Sequence, residues 1–353
     1  MLRTLYKYAL YSALTLTAIW TLYTQSLLWT PIHIHSPTAS VNWTQYAYCQ
    51  YVTTTEYLCN SVMIFEALDR VGIQASKIMM YPKEWNVDGD DETARLIRKS
   101  REEYGVQLLP IQLQHFSASS TWADSFTKLL AFNQTQFKRV LSLDSDGTVM
   151  QNMDELFLIP SAPVAMPIAY WLDNQLSSQV VLVEPSDFQF ARILNAFDHR
   201  QNEDFDMEIV NNLYGKDCII IPHRTYDLIT GEFRTKEHHK FLGSKEEIWD
   251  PEKALHEAKY IHFSDWPFPK PWLPHGTHQE ESLQPDCHQT EAGEDCRDRN
   301  IWLNIYADFT ERRKVGNYGS PRANSLLTIR HLEGMQCLIS LCSYNAVDLA
   351  EQY

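Results

Sequence analysis

Two aspartates separated by one residue, Asp144 and Asp146, are the strongest candidates for chemistry in the 353-residue chain. They follow the apolar run Arg139–Leu143, which is typical of a buried strand, and strand geometry directs side chains two residues apart to the same side. Two carboxylates so close repel each other and raise the pKa of one of them unless a cation lies between or beside them. The pair therefore predicts a divalent-metal site, although Asp, Ser and Gly together are also typical of a polar turn with capping aspartates.

A phosphatase is an alternative interpretation of the same residues. The run 144–148, Asp-Ser-Asp-Gly-Thr, resembles the first motif of haloacid-dehalogenase-type phosphatases, in which the first aspartate attacks phosphorus and the second acts as acid and base. That class of enzyme carries the motif on the first strand of its domain. Here at least three predicted strands precede the motif, so the phosphatase stays the second choice.

Strand-like and helical segments alternate along the chain before the acidic pair. β-branched and aromatic runs predict strands, and apolar residues at helical spacing predict the helices between them. The predicted strands are 46–54, 77–81, 106–112 and 137–143. The first predicted helix ends at Gly72, and the other two span 91–104 and 123–133. Strands separated by helices predict βαβ units in an α/β fold with a mostly parallel sheet, whose ligands bind at the carboxyl ends of the strands.

The chain after the acidic pair continues the pattern less regularly. Residues 164–168 and 179–183 are predicted strands and 188–198 a helix, and Pro167 predicts that the first of these strands lies at an edge of the sheet or is an extended loop. Residues 273–300, rich in Pro, His and acids, predict a surface excursion.

The N-terminal thirty residues predict a membrane anchor. Residues 8–29 contain no charged side chain and are long enough to cross a bilayer, while Arg3 and Lys7 precede them. Positive charge on the short side places that end in the cytoplasm and the rest in the lumen. We therefore expect a cytoplasmic tail 1–7, an anchor 8–29, a stem 30–45, a catalytic domain 46–320 and a helical tail 321–353; a cleaved signal peptide is the alternative, without a clear cleavage site.

Charge and cysteine content limit the partners and the compartment. The formal net charge of minus 15 argues against a nucleic-acid partner, which needs a basic surface. Sequons at Asn42 and Asn133 fit a luminal domain. Seven cysteines leave at least one thiol without an intramolecular partner, and the close pairs Cys287/Cys296 and Cys337/Cys342 could form small disulfide loops in an oxidising lumen.

Several segments together resemble glycosyltransferase family 8, the glycogenin-like retaining enzymes, and most closely its fungal Golgi N-acetylglucosaminyltransferase branch. They extend over roughly residues 46–275 and consist of Tyr51-Val52-Thr53, Thr127-Lys128-Leu129, the acidic pair, and His262-Phe263 leading to Lys270-Pro271-Trp272. The resemblance implies a GT-A fold, a UDP-sugar donor and Mn²⁺. Two carboxylates and an imidazole also suit Mn²⁺ better than Mg²⁺, because nitrogen is the softer ligand.

The resemblance also implies roles for individual residues. Asp144, Asp146 and His262 would bind the metal, and Lys270 the donor diphosphate. Thr53 and Tyr57 would bind uridine and ribose. Lys128 would lie near the donor sugar and Asp206 near the reacting sugar, both as catalytic residues. The chain departs from the family pattern in two places, with Met207 in place of a glutamine and Ser177-Ser178-Gln179 in place of Asn-Ser-Gly.

The expected function is retaining transfer of a sugar, N-acetylglucosamine from UDP-GlcNAc by the resemblance, to a luminal glycan or glycoprotein. The expected location is the Golgi membrane, as a single-pass type II protein. A catalytically silent luminal binding protein with the same fold is an alternative that the two departures leave open.

Overall fold

The computed structural model describes residues 40–112, 126–172, 175–201, 204–291 and 293–313. The predicted cytoplasmic tail, anchor, C-terminal helical tail and most of the stem lie outside these residues. Within the described ranges, no helix is both long and apolar enough to cross a bilayer. The anchor therefore stays a prediction from the sequence.

Within the described ranges, twelve strands form three sheets. They are β1 Tyr46–Tyr51, β2 Ser76–Pro82, β3 Gln107–Ile111, β4 Arg139–Leu143, β5 Gly147–Val149, β6 Val164–Pro167, β7 Val180–Val183, β8 Ile219–Ile221, β9 Leu228–Ile229, β10 Tyr260–His262, β11 His288–Thr290 and β12 Gly293–Asp295. The large sheet has the order β3-β2-β1-β4-β7-β6-β8. Strand β7 runs antiparallel to both of its neighbours, and the other four pairs are parallel. The predicted α/β class with a mostly parallel sheet is confirmed.

Nine helices accompany the strands in the part of the chain that the structure describes. They are α1 Thr55–Arg70, α2 Glu92–Tyr104, α3 Asp187–Asp198, α4 Asp206–Tyr214, α5 His223–Tyr226, α6 His239–Leu242, α7 Pro251–Glu257, α8 Thr277–Leu283 and α9 Arg297–Arg313, and a further helical turn is described at 126–129. The first two begin where side chains cap them, since Thr54 accepts from the backbone of Tyr57 and Asp91 from that of Ala94. The βαβ units predicted before the acidic pair are therefore present.

The prediction for the strand that contains Pro167 was wrong. Strand β6 lies inside the sheet, between β7 and β8. Proline is tolerated there because it is the last residue of the strand, where its missing N–H removes no central hydrogen bond. Its carbonyl still accepts from the Ser177 backbone at 2.9 Å.

A small second sheet, β5-β10-β9, joins distant parts of the chain. The chain leaves the large sheet at Leu143 and enters the small one at Gly147, so the acidic pair lies in the short connection. Gly147 pairs with His262 across β5 and β10. A side chain at Gly147 would collide with the ring and hydroxyl of Tyr260 and approach the Ile261 carbonyl at 2.8 Å, so this position requires glycine.

Three groups of buried apolar side chains hold these sheets. Two of them cover the opposite faces of the large sheet, because alternate residues of β1 and β4 contribute to each: Tyr48 and Leu141 to one, Cys49 and Val140 to the other. The third group packs the small sheet against α9, through Phe263, Trp302 and other residues. Val149 of β5 and Tyr260 of β10 belong to the same group as Tyr48, so the small sheet also packs against one face of the large sheet.

The predicted surface excursion at 273–300 is ordered. It contains α8, the hairpin β11-β12 and the first residues of α9, and the residues of β11 are exposed. The predicted disulfide between Cys287 and Cys296 is present, whereas Cys337 and Cys342 lie outside the described residues. Cys49 and Cys218 are free thiols.

Candidate functional site

The structure brings Asp144, Asp146 and His262 together. One ligand atom from each lies within 4.8 Å of the others. The Nε2 atom of His262 is 2.9 Å from Asp146 Oδ1 and 4.0 Å from Asp144 Oδ2. The two acids follow β4, and His262 ends β10, which is paired with β5 directly after the acids. This convergence depends on a strand pairing between residues more than a hundred positions apart.

These three side chains fit a divalent transition-metal ion. Two carboxylates supply anionic oxygens and an imidazole supplies a nitrogen, a ligand set that suits Mn²⁺ and related ions. His262 is buried, and its Nε2 atom is directed at the carboxylates, whereas its Nδ1 atom has no hydrogen-bond partner among the described residues. The types of ligand atom and the orientation of the His262 ring therefore agree with the metal site predicted from the sequence. The ligand roles themselves stay predictions.

The two carboxylates have opposite electrostatic environments. Burial raises the pKa of Asp144, and the nearby charge of Asp146 adds to the rise against the pull of Lys128. Burial also acts on Asp146, but His262 and Lys270 outweigh it and hold the pKa of this carboxyl well below its ordinary value. The pKa of Asp144 is thus raised, as predicted for one of two close carboxylates, and Asp146 is kept ionised.

Lys128 links the metal-site acids to the predicted sugar-side residue Asp206. Its Nζ atom lies 2.7 Å from Asp144 Oδ1 and 3.0 Å from Asp206 Oδ2. The Ser178 hydroxyl donates to the same oxygen of Asp206 at 2.7 Å. Although burial opposes the charged form of Lys128, the two aspartates raise its pKa. The lysine is therefore a buried, permanently charged group and not a solvated helix residue.

Lys270 approaches the site from the loop after β10. Its ammonium group donates to Asp146 Oδ2 at 2.7 Å and to the carbonyl of Phe263. A cation held against the metal-site acids is well placed to meet an anionic ligand bound at the same point. The structure thus places Lys270 beside Asp146, where the sequence predicts a diphosphate contact.

Thr53 and Tyr57 lie at the same edge of the large sheet. Both follow β1, whose parallel neighbour β4 ends at the acidic pair. Thr53 is half-buried in the turn before α1, and the Tyr57 ring packs edge-on against Trp272, with 6.0 Å between ring centroids. Their position is compatible with the predicted uridine and ribose contacts, which stay predictions.

Sequence reasoning missed three side chains that contact or face the acids. The Tyr51 hydroxyl donates to Asp144 Oδ1 at 3.3 Å, and that of Tyr260 donates to the Asp144 carbonyl at 2.7 Å. Asp227 is fully buried and close enough for Asp144 to raise its pKa. The position of Tyr51 at the end of β1 is a usable signal, because parallel strands end at one edge. Tyr260 lies in β10 of the small sheet and Asp227 directly before β9, and no local sequence pattern indicates a role for either.

Comparison with known proteins adds independent information. No protein-family model matches the chain. Among curated proteins, Glucose N-acetyltransferase 1 of Gibberella zeae is 52% identical over 285 residues, which make up 78% of this chain and 63% of the relative. The protein of the same name from Aspergillus fumigatus is 42% identical over 298 residues, 78% of each chain. Glycogenin-1 of Caenorhabditis elegans is 28% identical over 157 residues, 40% of this chain and 36% of that one.

Solved structures show a more distant likeness. The glycosyltransferase GlyE of Streptococcus pneumoniae TIGR4 gives a TM-score of 0.47 at 16% identity, covering 74% of this chain and 60% of that one. The galactosyltransferase LgtC, in complex with donor and acceptor sugar analogues, gives 0.45 at 13% identity, covering 67% and 94%. The chain spans less than two thirds of the Gibberella zeae relative and more than two thirds of the Aspergillus fumigatus one. At this identity and coverage, the chain belongs to the glucose N-acetyltransferase 1 family, a glycogenin-like branch of glycosyltransferase family 8.

Proposed function

We propose that the chain is a retaining, metal-dependent glycosyltransferase that moves N-acetylglucosamine from UDP-GlcNAc to a hydroxyl of a glycan. The observation that carries this proposal is the convergence of Asp144, Asp146 and His262 with Lys270 at one point. Family membership and the name of the relatives support a donor sugar with an N-acetyl group. A single cluster then provides both a metal site and a cation for a diphosphate.

The metal-site residues act on the leaving group. Asp144, Asp146 and His262 would hold Mn²⁺, which supplies charge stabilisation for a departing diphosphate. Lys270 adds a second positive charge beside Asp146. Because His262 and Lys270 hold the pKa of Asp146 well below its ordinary value, this carboxylate is ionised at neutral pH and available to bind a metal.

Lys128, Asp206 and Ser178 would position the donor sugar. Their mutual contacts of 2.7 to 3.3 Å fix the ammonium group of Lys128 between the metal-site acids and α4. Gln179, where the family pattern has glycine, has a buried side-chain oxygen that finds no hydrogen-bond partner among the described residues. A sugar hydroxyl or an N-acetyl N–H would satisfy such an acceptor.

We further propose a single-pass type II protein of the Golgi membrane with a luminal catalytic domain. The uncharged residues 8–29 support the anchor. A disulfide between Cys287 and Cys296 favours an oxidising compartment, and the sequon residues Asn42 and Asn133 are both exposed. An antibody to the C-terminal region that stains cells only after the internal membranes are opened would support this topology, and staining with those membranes closed would contradict it.

The two alternatives differ from the proposal in what the site can do. The phosphatase needs its nucleophile on the first strand, whereas Asp144 follows β4, and family membership also argues against it. A silent binding protein needs the fold but not the complete metal site. Since both acids, His262 and Lys270 converge, the structure supports an active enzyme.

The experiment is release of UDP by the full chain, purified in detergent, from a panel of UDP-sugars with and without Mn²⁺. We expect Mn²⁺-dependent release, fastest from UDP-GlcNAc, and its loss in Asp144→Asn. Turnover of a generic phosphate ester without any UDP-sugar turnover would establish the phosphatase. Glycan binding that survives Asp144→Asn, with no turnover by the wild type, would establish the silent binding protein.

A further inference from the structure

The residues that flank the loop from Phe263 to Pro269 both contact one of the metal-site acids. His262 before it and Lys270 after it contact the two carboxylate oxygens of the same residue, Asp146. Trp266 is four residues from each end. Since four extended residues reach at most about 14 Å, the backbone of Trp266 lies within that distance of the backbones of His262 and Lys270.

Two side chains of the loop anchor it firmly to the body of the protein. The buried carboxylate of Asp265 accepts hydrogen bonds from Trp302 Nε1 at 2.9 Å, from the Tyr306 hydroxyl at 2.7 Å and from the Thr230 hydroxyl. Phe268 is also buried, and its ring packs against that of Trp302 with 4.9 Å between centroids. The loop backbone is therefore held in place on both sides of Trp266.

Trp266 itself is 92% exposed. Tryptophan normally buries most of its large apolar surface, so an exposed indole between two anchored neighbours has no stabilising function within the described fold. The anchors prevent the loop from turning it inward. An exposed indole on a loop whose two ends contact Asp146 is available to bind a ligand of that site.

The chemistry of the indole and of the site defines its ligand. The face of an aromatic ring carries negative partial charge and attracts the slightly positive C–H groups on one face of a pyranose ring. The neighbouring site contains several carboxylates, and the chain has a net charge of minus 15, both of which disfavour an anionic partner. A neutral sugar satisfies both conditions. The donor diphosphate, by contrast, is assigned to Lys270 and the metal-site acids at the inner ends of the loop.

We infer that Trp266 binds a pyranose ring of the acceptor glycan by stacking and so orients the acceptor toward the donor sugar, an inference that rests on the proposed function. Trp266 is then a binding residue for the acceptor and takes no part in donor binding. Its removal changes the acceptor KM and leaves the donor side of the reaction intact.

The experiment compares the full-length wild type with Trp266→Ala, Trp266→Phe and a control, Phe188→Ala. Phe188 is also an exposed aromatic residue, at 70%, but lies in the first turn of α3. Two reactions are measured: hydrolysis of UDP-GlcNAc with Mn²⁺ and no acceptor, and transfer to a panel of methyl pyranosides and short mannose, glucose and galactose oligosaccharides.

We expect Trp266→Ala to raise the acceptor KM about tenfold, equivalent to about 1.4 kcal/mol of binding, with donor hydrolysis unchanged. Trp266→Phe should recover most of the difference, and Phe188→Ala should match the wild type. An unchanged KM in Trp266→Ala would overturn the inference, as would a wild type that hydrolyses the donor but transfers to no pyranoside in the panel. If the wild type neither hydrolyses nor binds UDP-GlcNAc, the proposed function itself fails.

Discussion

Asp227 provides the most quantitative test of the electrostatics around the site. Its carboxylate is fully buried between α5 and β9, and no described residue gives either oxygen a hydrogen bond of normal geometry. Burial, with a further contribution from Asp144, raises its pKa from 3.8 to about 8, although Ser177 and Lys128 oppose the rise. The protein therefore carries an uncharged carboxylic acid here at neutral pH.

Asp227→Asn removes the titration but keeps the size of the side chain. The folded state binds a proton that the unfolded chain has already released between the two pKa values, so the stability of the wild type falls as the pH rises from about 4 to about 8. The loss amounts to about 1.4 kcal/mol per pH unit in this window. The stability of the variant relative to the wild type should therefore improve by about 3 kcal/mol between pH 5 and pH 7.

The assay is urea unfolding of the full chain at pH 5, 6 and 7, followed by tryptophan fluorescence. Asp154→Asn is a matched control, the same substitution at another buried aspartate. Unlike Asp227, Asp154 accepts hydrogen bonds of normal geometry, from the Tyr48 hydroxyl at 3.0 Å and from the Gln74 backbone at 2.7 Å. That variant should be less stable than the wild type at all three pH values. If the difference between Asp227→Asn and the wild type is the same at pH 5 and pH 7, the assignment of a raised pKa to Asp227 is wrong.

Three further substitutions test the site and the elements that position it. His262→Ala should weaken Mn²⁺ activation of UDP release by tenfold or more, and full retention of Mn²⁺ dependence, measured by titration of the metal, would remove His262 from the ligand set. Asp265→Ala should lower the free energy of unfolding by about 3 kcal/mol because the buried Trp302 N–H and other donors lose their acceptor, and wild-type thermal stability would contradict this. Gly147→Ala should destabilise the protein by roughly 1–3 kcal/mol through its collision with Tyr260 and reduce UDP release, whereas a fully stable and active variant would show that the small sheet can shift.

The first half of the fold was predictable because its signals are local. Helix α2, for example, begins after a capping Asp91 and ends at Gly105 in the left-handed conformation, both readable from residue type. The strands β1, β2 and β4 are buried and rich in aromatic or apolar residues. Periodicity and capping therefore placed these elements to within a few residues.

The second half was less predictable because its organisation depends on distant pairings. Strands β5, β9 and β10 have two or three residues each, too few for any periodicity, and β10 pairs with β5 across more than a hundred residues. The interior position of β6 likewise depends on β8, which follows it by some fifty residues. No local pattern encodes such pairings.

The same distinction applies to the candidate site. Asp144 and Asp146 are only two positions apart, so their proximity was predictable, although they lie in the connection after β4 and not on the strand itself. His262 and Lys270 were identified by resemblance alone, since lone histidines and lysines carry no spacing signal. Tyr260 and Asp227 were missed because only the small sheet brings them to the acids.

The short connection 144–146 between the two sheets has a mechanical consequence. Asp144 follows the large sheet, whereas Asp146 and His262 lie at the small one, so an ion held by all three would cross-link the two sheet layers. Binding energy at this point would then oppose any separation of the layers. Amide hydrogen exchange should slow in β4 and β10 together when Mn²⁺ and UDP are added, while the distant hairpin β11-β12 should exchange as before.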